Sequence, residues 1–447
     1  MKEFIILILL FFLNILVTKS KYRNLANPTI LFNLVWIINV SLSLLMLFDL
    51  YETPDKTYSL IAWGVIFFII GGNLSLLMEN IRITLGKGRM SEHTIFTLNY
   101  HLLFALTVIC IIYYLPQLFS SLNAIIKGIS LNDVRGFLQD SDQSQGISNL
   151  LGNYIFLPLA TALEPLAALD FWFGKRDKNF IISICLLVLI RSFGSGGRTP
   201  LFNLVFYFAI SYCLKRVSMI YKKRKKVNTK INMTALRDKR MFKKLLGVGI
   251  LGLVIMTVMR AAGSLIRKLY FYFAMSPVLL SKWLDVIDAN SYHFNGLVSF
   301  NGIFYFIDYV RKNLFSTDYM PTIISAYSLI ANTDSEWLKI SSSGTTANAY
   351  VSCFAFFYAD FGFYGVIILS LFFGFLASRL YSRVLYNFDL RSASLYMLIS
   401  QSIFFSFIRF PFVKVYYVLA FLFLLCFAFK KTSVYKNGED DFNETVN

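Results

Sequence analysis

Long apolar runs, each closed by a short polar or charged stretch, recur along almost the whole chain. They predict eleven helical spans, at roughly 4–17, 29–48, 58–78, 96–119, 150–172, 179–190, 200–214, 245–263, 362–378, 393–408 and 413–429. A helix needs about 20 mostly apolar residues to cross a hydrocarbon core. The first run, Phe4 to Val17, continues into Thr18-Lys19-Ser20-Lys21 with no small-residue cleavage site, so it is read as a retained span. Two polar intervals interrupt the series, a basic one at 215–244 and one of about 83 residues at 264–346. The organisation expected is N-terminal spans over 1–263, a large loop over 264–346, C-terminal spans over 347–430 and a tail over 431–447.

Composition agrees with this pattern and excludes a soluble globular enzyme. The 447 residues are 57% hydrophobic and only 15% charged, against about 25% charged in an ordinary soluble domain. The fold class expected is therefore an all-α polytopic membrane protein. The net charge of +18 has a natural place in such a protein, because cytoplasmic loops accumulate Lys and Arg. Loop by loop, the segments 18–28, 79–95, 173–179, 215–244, 379–391 and 430–447 hold 28 Lys and Arg, and the alternate set holds 12. That bias puts the N-terminus outside, and the basic run Lys222 to Lys226 and the C-terminus inside. It places 264–346 outside, and it reads the basic run as an orientation signal, not a nucleic-acid site. The five cysteines are scattered singly, with no disulfide framework and no metal-ligand spacing.

Several familiar patterns carry no chemistry here. Gly247-Val-Gly-Ile-Leu-Gly252 has the glycine spacing of a dinucleotide loop, but it lies inside a span, where small residues serve helix packing. Asp140-Ser-Asp142 sits in a polar loop and reads as solvated, and no ATP site is legible. More promising is the turn Arg191-Ser-Phe-Gly-Ser-Gly-Gly-Arg198-Thr-Pro200. Three glycines allow a sharp turn and close approach of a ligand, Pro200 suits a first helical turn, and two guanidiniums flank it. Helix N-terminal amides with Arg make an anion site; the alternative is a hairpin whose arginines meet lipid headgroups. Arg260 and Arg267 follow on the same expected face, and clustering with Arg191 and Arg198 would suit a pyrophosphate. Glu164, beside Pro165 in a span, should face the bundle interior with a partner, and a counter-ion role to an arginine is the favoured reading.

In the second half, Asn348-Ala-Tyr350-Val-Ser352, then Tyr358-Ala-Asp360-Phe-Gly362, then Gly365 and a span carrying Gly374, resembles the signature of Wzy-type O-antigen and capsule repeat-unit polymerases. Tyr270 to Pro277, followed by Gly296, Phe300, Asn301, Gly302 and Phe304, is similar to that family's long outer loop. The resemblance implies a metal-independent, cofactor-free glycosyltransferase with a GT-C-like helical fold in the bacterial inner membrane. It would join undecaprenyl-pyrophosphate-linked glycan donor and acceptor at the periplasmic face, with membrane lipids and a chain-length regulator as partners and no nucleic acid. Fixed arginines at Arg198, Arg191, Arg260 and Arg267 would stabilise the pyrophosphate. Tyr350, Tyr358 and Tyr270 would face glycan. A general base is expected among Asp360, His293 and Asp288, with Asp360 favoured and a helix-capping role weighed beside it. An O-antigen ligase, or a lipid-linked glycan flippase without the enzyme chemistry, shares the composition and the substrate; the absence of an internal repeat argues against the flippase.

Overall fold

The computed structural model describes residues 2–18, 24, 26–85, 93–128, 150–223, 231–258, 265–386 and 389–434. Helix dominates. The series begins α1 (Lys2–Val17), α2 (Pro28–Leu44), α3 (Asp55–Leu85), strand β1 (His93–Leu98) and α4 (Tyr100–Ile126). It continues with α5 (Leu157–Phe173), α6 (Lys178–Gly194), α7 (Thr199–Lys223) and α8 (Ile231–Val258). Four shorter helices follow, α9 (Leu265–Ala274), α10 (Ser276–Ala289), α11 (Asn301–Phe315) and α12 (Pro321–Ser335), with the two-residue strands β2 (Leu338–Lys339) and β3 (Thr346–Ala347). The chain closes with α13 (Ser352–Tyr386), α14 (Leu390–Phe404), α15 (Val415–Cys426) and β4 (Phe429–Val434).

The helical membrane character holds, but the count of eleven spans does not. Among the described residues, four helices are long and apolar enough to cross a membrane: Asp55–Met78, Tyr100–Ile126, Gly152–Phe173 and Ser352–Leu385. The other apolar windows fall short for identifiable reasons. α1, α6 and α14 have 16, 17 and 15 residues, and α15 has 12. α7 and α8 are longer but run into the basic interval. α14 buries every residue from Ala393 to Ile403, which is the pattern of a helix enclosed by protein, and hydropathy alone does not separate that from a lipid-facing span. The interval 264–346, expected as a loop, is mostly helix.

The deepest helix pair is α3 against α13. A Cβ on Gly71 would fall on the Leu371 carbonyl, and one on Gly374 on the Phe68 carbonyl, so the two backbones touch where side chains are absent. Phe32, Phe68, Phe354 and Phe373 fill the space beside that crossing. Gly249 and Gly252 pack α8 against Val205 and Leu201 of α7, the packing use expected of that glycine pattern.

Contacts join the described connecting segments into two groups. At one end β1 pairs antiparallel with β4, His93 opposite Val434 and Leu98 opposite Phe429. There the Arg391 guanidinium lies 5.1 Å from the Phe96 ring, Asn24 bonds the Tyr381 hydroxyl at 2.6 Å, and Asp238 pairs with Lys215 at 2.7 Å and Arg176 at 3.4 Å. At the opposite end Leu50 bridges Ser341, Ser121 Oγ donates to the Gly194 carbonyl at 2.5 Å, Ser276 Oγ to the Phe407 carbonyl at 2.6 Å, and Ser352 N to the Ile408 carbonyl at 3.0 Å. Helices α9–α12 cap that second end, and the candidate site lies there.

Candidate functional site

The Arg191–Arg198 turn is built as its sequence suggests. Gly194 lies against the backbone of Leu118 in α4, Gly196 has φ +59°, and Ser195 Oγ closes the helix end by donating to the Arg191 carbonyl at 2.6 Å. Pro200 stands in the first turn of α7. The two guanidiniums then part. Arg191 turns inward and bonds Glu164 Oε1 at 2.7 Å, with the arginine side chain 11% and the glutamate 1% exposed. Glu164 is therefore the buried counter-ion expected of it, and its partner is Arg191. Arg198 turns toward the α9–α12 end, donating to Thr257 Oγ1 at 2.9 Å and stacking 4.8 Å from the centroid of Tyr272.

From Tyr272 the path continues through aromatic rings to a second charged group. Tyr272 packs on Tyr350 at 6.1 Å, and Tyr350 on Phe407 at 6.1 Å. Two residues on is Arg409, whose guanidinium grips the Asp334 carboxylate with both terminal nitrogens, Nη1 to Oδ2 at 3.0 Å and Nη2 to Oδ1. Lys414 Nζ joins the same carboxylate at 2.7 Å. The loop that carries both cations, 405–414, is two short 3₁₀ turns between α14 and α15. Asp334 is presented by the last turn of α12, where Asn348 donates its side-chain amide to the Asp334 carbonyl. Burial by itself would raise the pKa of Asp334, but the bonds and charges of Arg409 and Lys414 prevail and hold it down at about 2. Tyr416 lies within electrostatic reach of both charged groups, Arg409 with Asp334 and Arg191 with Glu164. Four cations, Arg191, Arg198, Arg409 and Lys414, thus gather at one end of the bundle against two carboxylates.

Arg409, Lys414 and Asp334 were not singled out by the pattern of the sequence. The signal was present in Arg409-Phe-Pro-Phe-Val-Lys414, two cations closing a short apolar link between apolar helices. Of the other arginines, Arg260 lies outside the described residues. Arg267 is engaged elsewhere, donating to Ser343 Oγ at 2.8 Å and Thr345 Oγ1 at 3.0 Å on the β2–β3 loop. Asp140 and Asp142 also lie outside the described residues.

The base candidates occupy a different place. Asp360 is fully buried. Its carboxylate accepts from Val298 N at 3.0 Å and Ser299 N at 2.8 Å, and its carbonyl accepts from Asn295 N at 3.1 Å. It caps the turn before α11, a different element from the helix cap weighed above. The helix breaks directly after it, at Phe361 (φ −140°, ψ 21°) and Gly362 (φ 62°, ψ −146°), and the Gly362 conformation is one that only glycine enters readily. His293 is exposed, and with Asn295, Asp360, Phe361, Tyr364 and Ile368 it borders an open cleft of about 480 Å³. The loop that bears it is tied down, Phe294 N bonding the Ala359 carbonyl at 3.1 Å. Phe357 and Phe300 pack on Phe410, the residue that follows Arg409. Asp288 is paired with Lys56 at 2.9 Å and accepts from the Tyr358 hydroxyl at 2.8 Å.

The three tyrosines expected to face glycan also separate. Tyr350 sits between Tyr272 and Phe407, beside Arg409. Tyr358 is joined to Asp288 near the cleft. Tyr270 is buried, and its hydroxyl donates to the Leu42 carbonyl and accepts from Leu47 N, both at 2.9 Å, so it serves as a clamp on the end of α2. The structure thus brings Arg191, Arg198 and Tyr350 into one neighbourhood with Arg409 and Lys414, and leaves Arg267, Tyr270, Tyr358, Asp360 and His293 outside it. Compared with protein-family models, curated proteins and solved structures, the chain matches none.

Proposed function

We propose that the protein polymerises undecaprenyl-pyrophosphate-linked oligosaccharide repeat units into surface polysaccharide at the periplasmic face of the bacterial inner membrane. The observation that carries this reading is the gathering of Arg191, Arg198, Arg409 and Lys414 around Tyr272, Tyr350 and Tyr416 at one end of an apolar helical bundle. In the reaction an acceptor hydroxyl forms a bond to the donor's anomeric carbon, the bond from that carbon to the pyrophosphate oxygen breaks, and the pyrophosphate leaves with the electron pair. Negative charge grows on the leaving group, and fixed guanidiniums placed before the reaction stabilise it without a costly rearrangement. Tyrosine faces beside them suit sugar rings. The hydroxyl's proton needs an acceptor. Asp360 already accepts two backbone N–H groups, which leaves the exposed His293 imidazole, on the same cleft but outside the cation cluster, as the candidate to test for it.

Deletion of the gene followed by gel analysis of surface polysaccharide tests the reading. A polymerase mutant leaves lipid capped with one repeat unit, whereas loss of a ligase or a flippase leaves no capped lipid. Arg198→Ala, expressed at normal abundance, is expected to cut polymer formation by about 100-fold to 1000-fold, the usual cost of one lost donor to a developing oxyanion. Arg198→Lys should recover part of it, since an ammonium lacks the planar fork. Unchanged polymer in the deletion strain would end the proposal.

A further inference from the structure

We propose that Arg409 and Lys414 form a binding site for a phosphate or pyrophosphate group, and that the Asp334 carboxylate fills this site in the resting protein and is displaced when the ligand enters. The inference deepens the polymerase reading and rests on it for the identity of the natural ligand, but not for the exchange itself.

Three observations support the exchange. The first is shape. Arg409 meets Asp334 with two nitrogens on two oxygens, and Lys414 meets one of the same oxygens at 2.7 Å. This fork plus a point charge is how proteins hold a phosphate, and a carboxylate is the side chain that most closely imitates one. The second is charge. Arg191 is matched by Glu164, whereas Arg409 and Lys414 share a single carboxylate, so among the described residues this half of the cluster carries one positive charge in excess. A dianion would satisfy it better than Asp334 does. The third is access. The side chains are 17% exposed for Arg409, 29% for Lys414 and 34% for Asp334, so the carboxylate is the most open of the three and stands at the last turn of α12, one residue from its end. The carboxylate can therefore be reached from solvent, while both cations are carried by loop 405–414. Tyr350 and Tyr416 flank the site and couple electrostatically to Arg409.

An internal anion has a predictable effect. A ligand that must displace it binds more weakly by the fraction of time the site is free. Asp334 thus sets the affinity to a level from which product can leave, and removing it should tighten binding. A purely structural ion pair predicts the opposite or nothing.

The test uses the full chain, purified in detergent, with inorganic pyrophosphate as probe in calorimetric titration. Asp334→Asn is expected to bind pyrophosphate about tenfold more tightly than wild type, as for a site occupied internally about nine-tenths of the time, and Arg409→Ala and Lys414→Ala to lose binding. Equal or weaker binding by Asp334→Asn, in protein that melts as a single transition, overturns the proposal. Should that variant not fold, hydrogen exchange on the wild type decides. Pyrophosphate must speed exchange at residues 332–336 as Asp334 is released, and unchanged exchange at saturating probe overturns the exchange. Repeating the titration in vesicles rich in phosphatidylglycerol separates a free anion from a lipid headgroup. Competition by the lipid assigns the site to membrane phosphates and overturns its use for a pyrophosphate ligand. Binding is read on purified protein and polymer in cells, so either the exchange or the polymerase reading can fail without the other.

Discussion

Two acidic regions at the same end of the bundle use carboxylates in opposite ways. In the cation cluster, Glu164 and Asp334 take their hydrogen bonds from charged side chains, Arg191 on one and Arg409 with Lys414 on the other. In the cleft, Asp360 takes its bonds from the backbone of residues 298 and 299. A carboxylate held by side chains can exchange them for other partners, because rotation about a few bonds frees it. One held by backbone N–H groups is part of the chain's own folding, and freeing it means undoing a turn. The difference separates a region equipped to bind from a region equipped to hold its shape.

The largest expected effect sharpens this contrast at the buried pair. Removing Arg191 alone, as in Arg191→Leu, leaves Glu164 enclosed at 1% exposure without its counter-ion, a loss of about 3 to 5 kcal/mol. Abundance in the membrane and the melting temperature should both fall steeply. The double change Glu164→Leu with Arg191→Leu replaces the pair by apolar volume, which is often close to neutral, so melting should recover while polymer does not. Recovery of polymer along with stability would show that Arg191 acts only as a structural counter-ion.

Much of this end of the molecule was legible in the sequence, and the reasons for the remainder are physical. The turn at Arg191–Arg198 could be read because glycine, proline and arginine each carry a local meaning at their positions. Glu164 could be read because a lone charge in an apolar run requires a partner. Arg409 and Asp334 could not be paired beforehand, since they are 75 residues apart and nothing local in either segment points to the other. The cap on Val298 and Ser299 was missed for the same reason. Asp360 precedes a helix break, and capping of its own helix was the local expectation, but the backbone groups it serves are 61 and 62 residues away. The span count failed because hydropathy measures how apolar a segment is and not what surrounds it: α14 is apolar and enclosed by protein.

Asp360 and His293 give the next largest effect, and they can break the contrast. In Asp360→Asn one oxygen is retained, but the amide group faces a backbone N–H that it cannot accept, leaving a buried donor unpaired. The cost is about 1 to 3 kcal/mol, read as a lower melting temperature in detergent. Polymer per folded molecule should stay near the wild-type level if Asp360 only holds the turn. His293→Gln lies on the exposed wall of the cleft and should leave melting unchanged, while polymer falls if the imidazole takes the proton. Normal melting with no polymer in Asp360→Asn would reverse the assignment, making Asp360 the base and erasing the distinction between a binding and a holding carboxylate.

The smallest expected effect concerns acidity at Asp334, and its sign follows from the pairing. A free aspartate has a pKa near 3.9, and burial would push that of Asp334 up, yet Arg409 and Lys414 pull it down to about 2. A carboxyl depressed on folding stabilises the native state fully above its unfolded value, and that contribution fades as pH falls toward the folded value. The relevant window therefore runs from about pH 4 down to about pH 2. With its side chain a third exposed, Asp334 is screened by water, so the contribution is modest. Other carboxylates titrate in the same range, which makes the wild-type curve alone uninformative. The difference between wild type and Asp334→Asn isolates the pair, because Asn imitates the protonated acid. Above pH 4 wild type should melt a little higher than the variant, and the gap should close on acidification toward pH 2. A gap that stays constant across the window would mean that Asp334 is not ion-paired in the folded protein, and the contrast between exchangeable and fixed carboxylates would then rest on Glu164 alone.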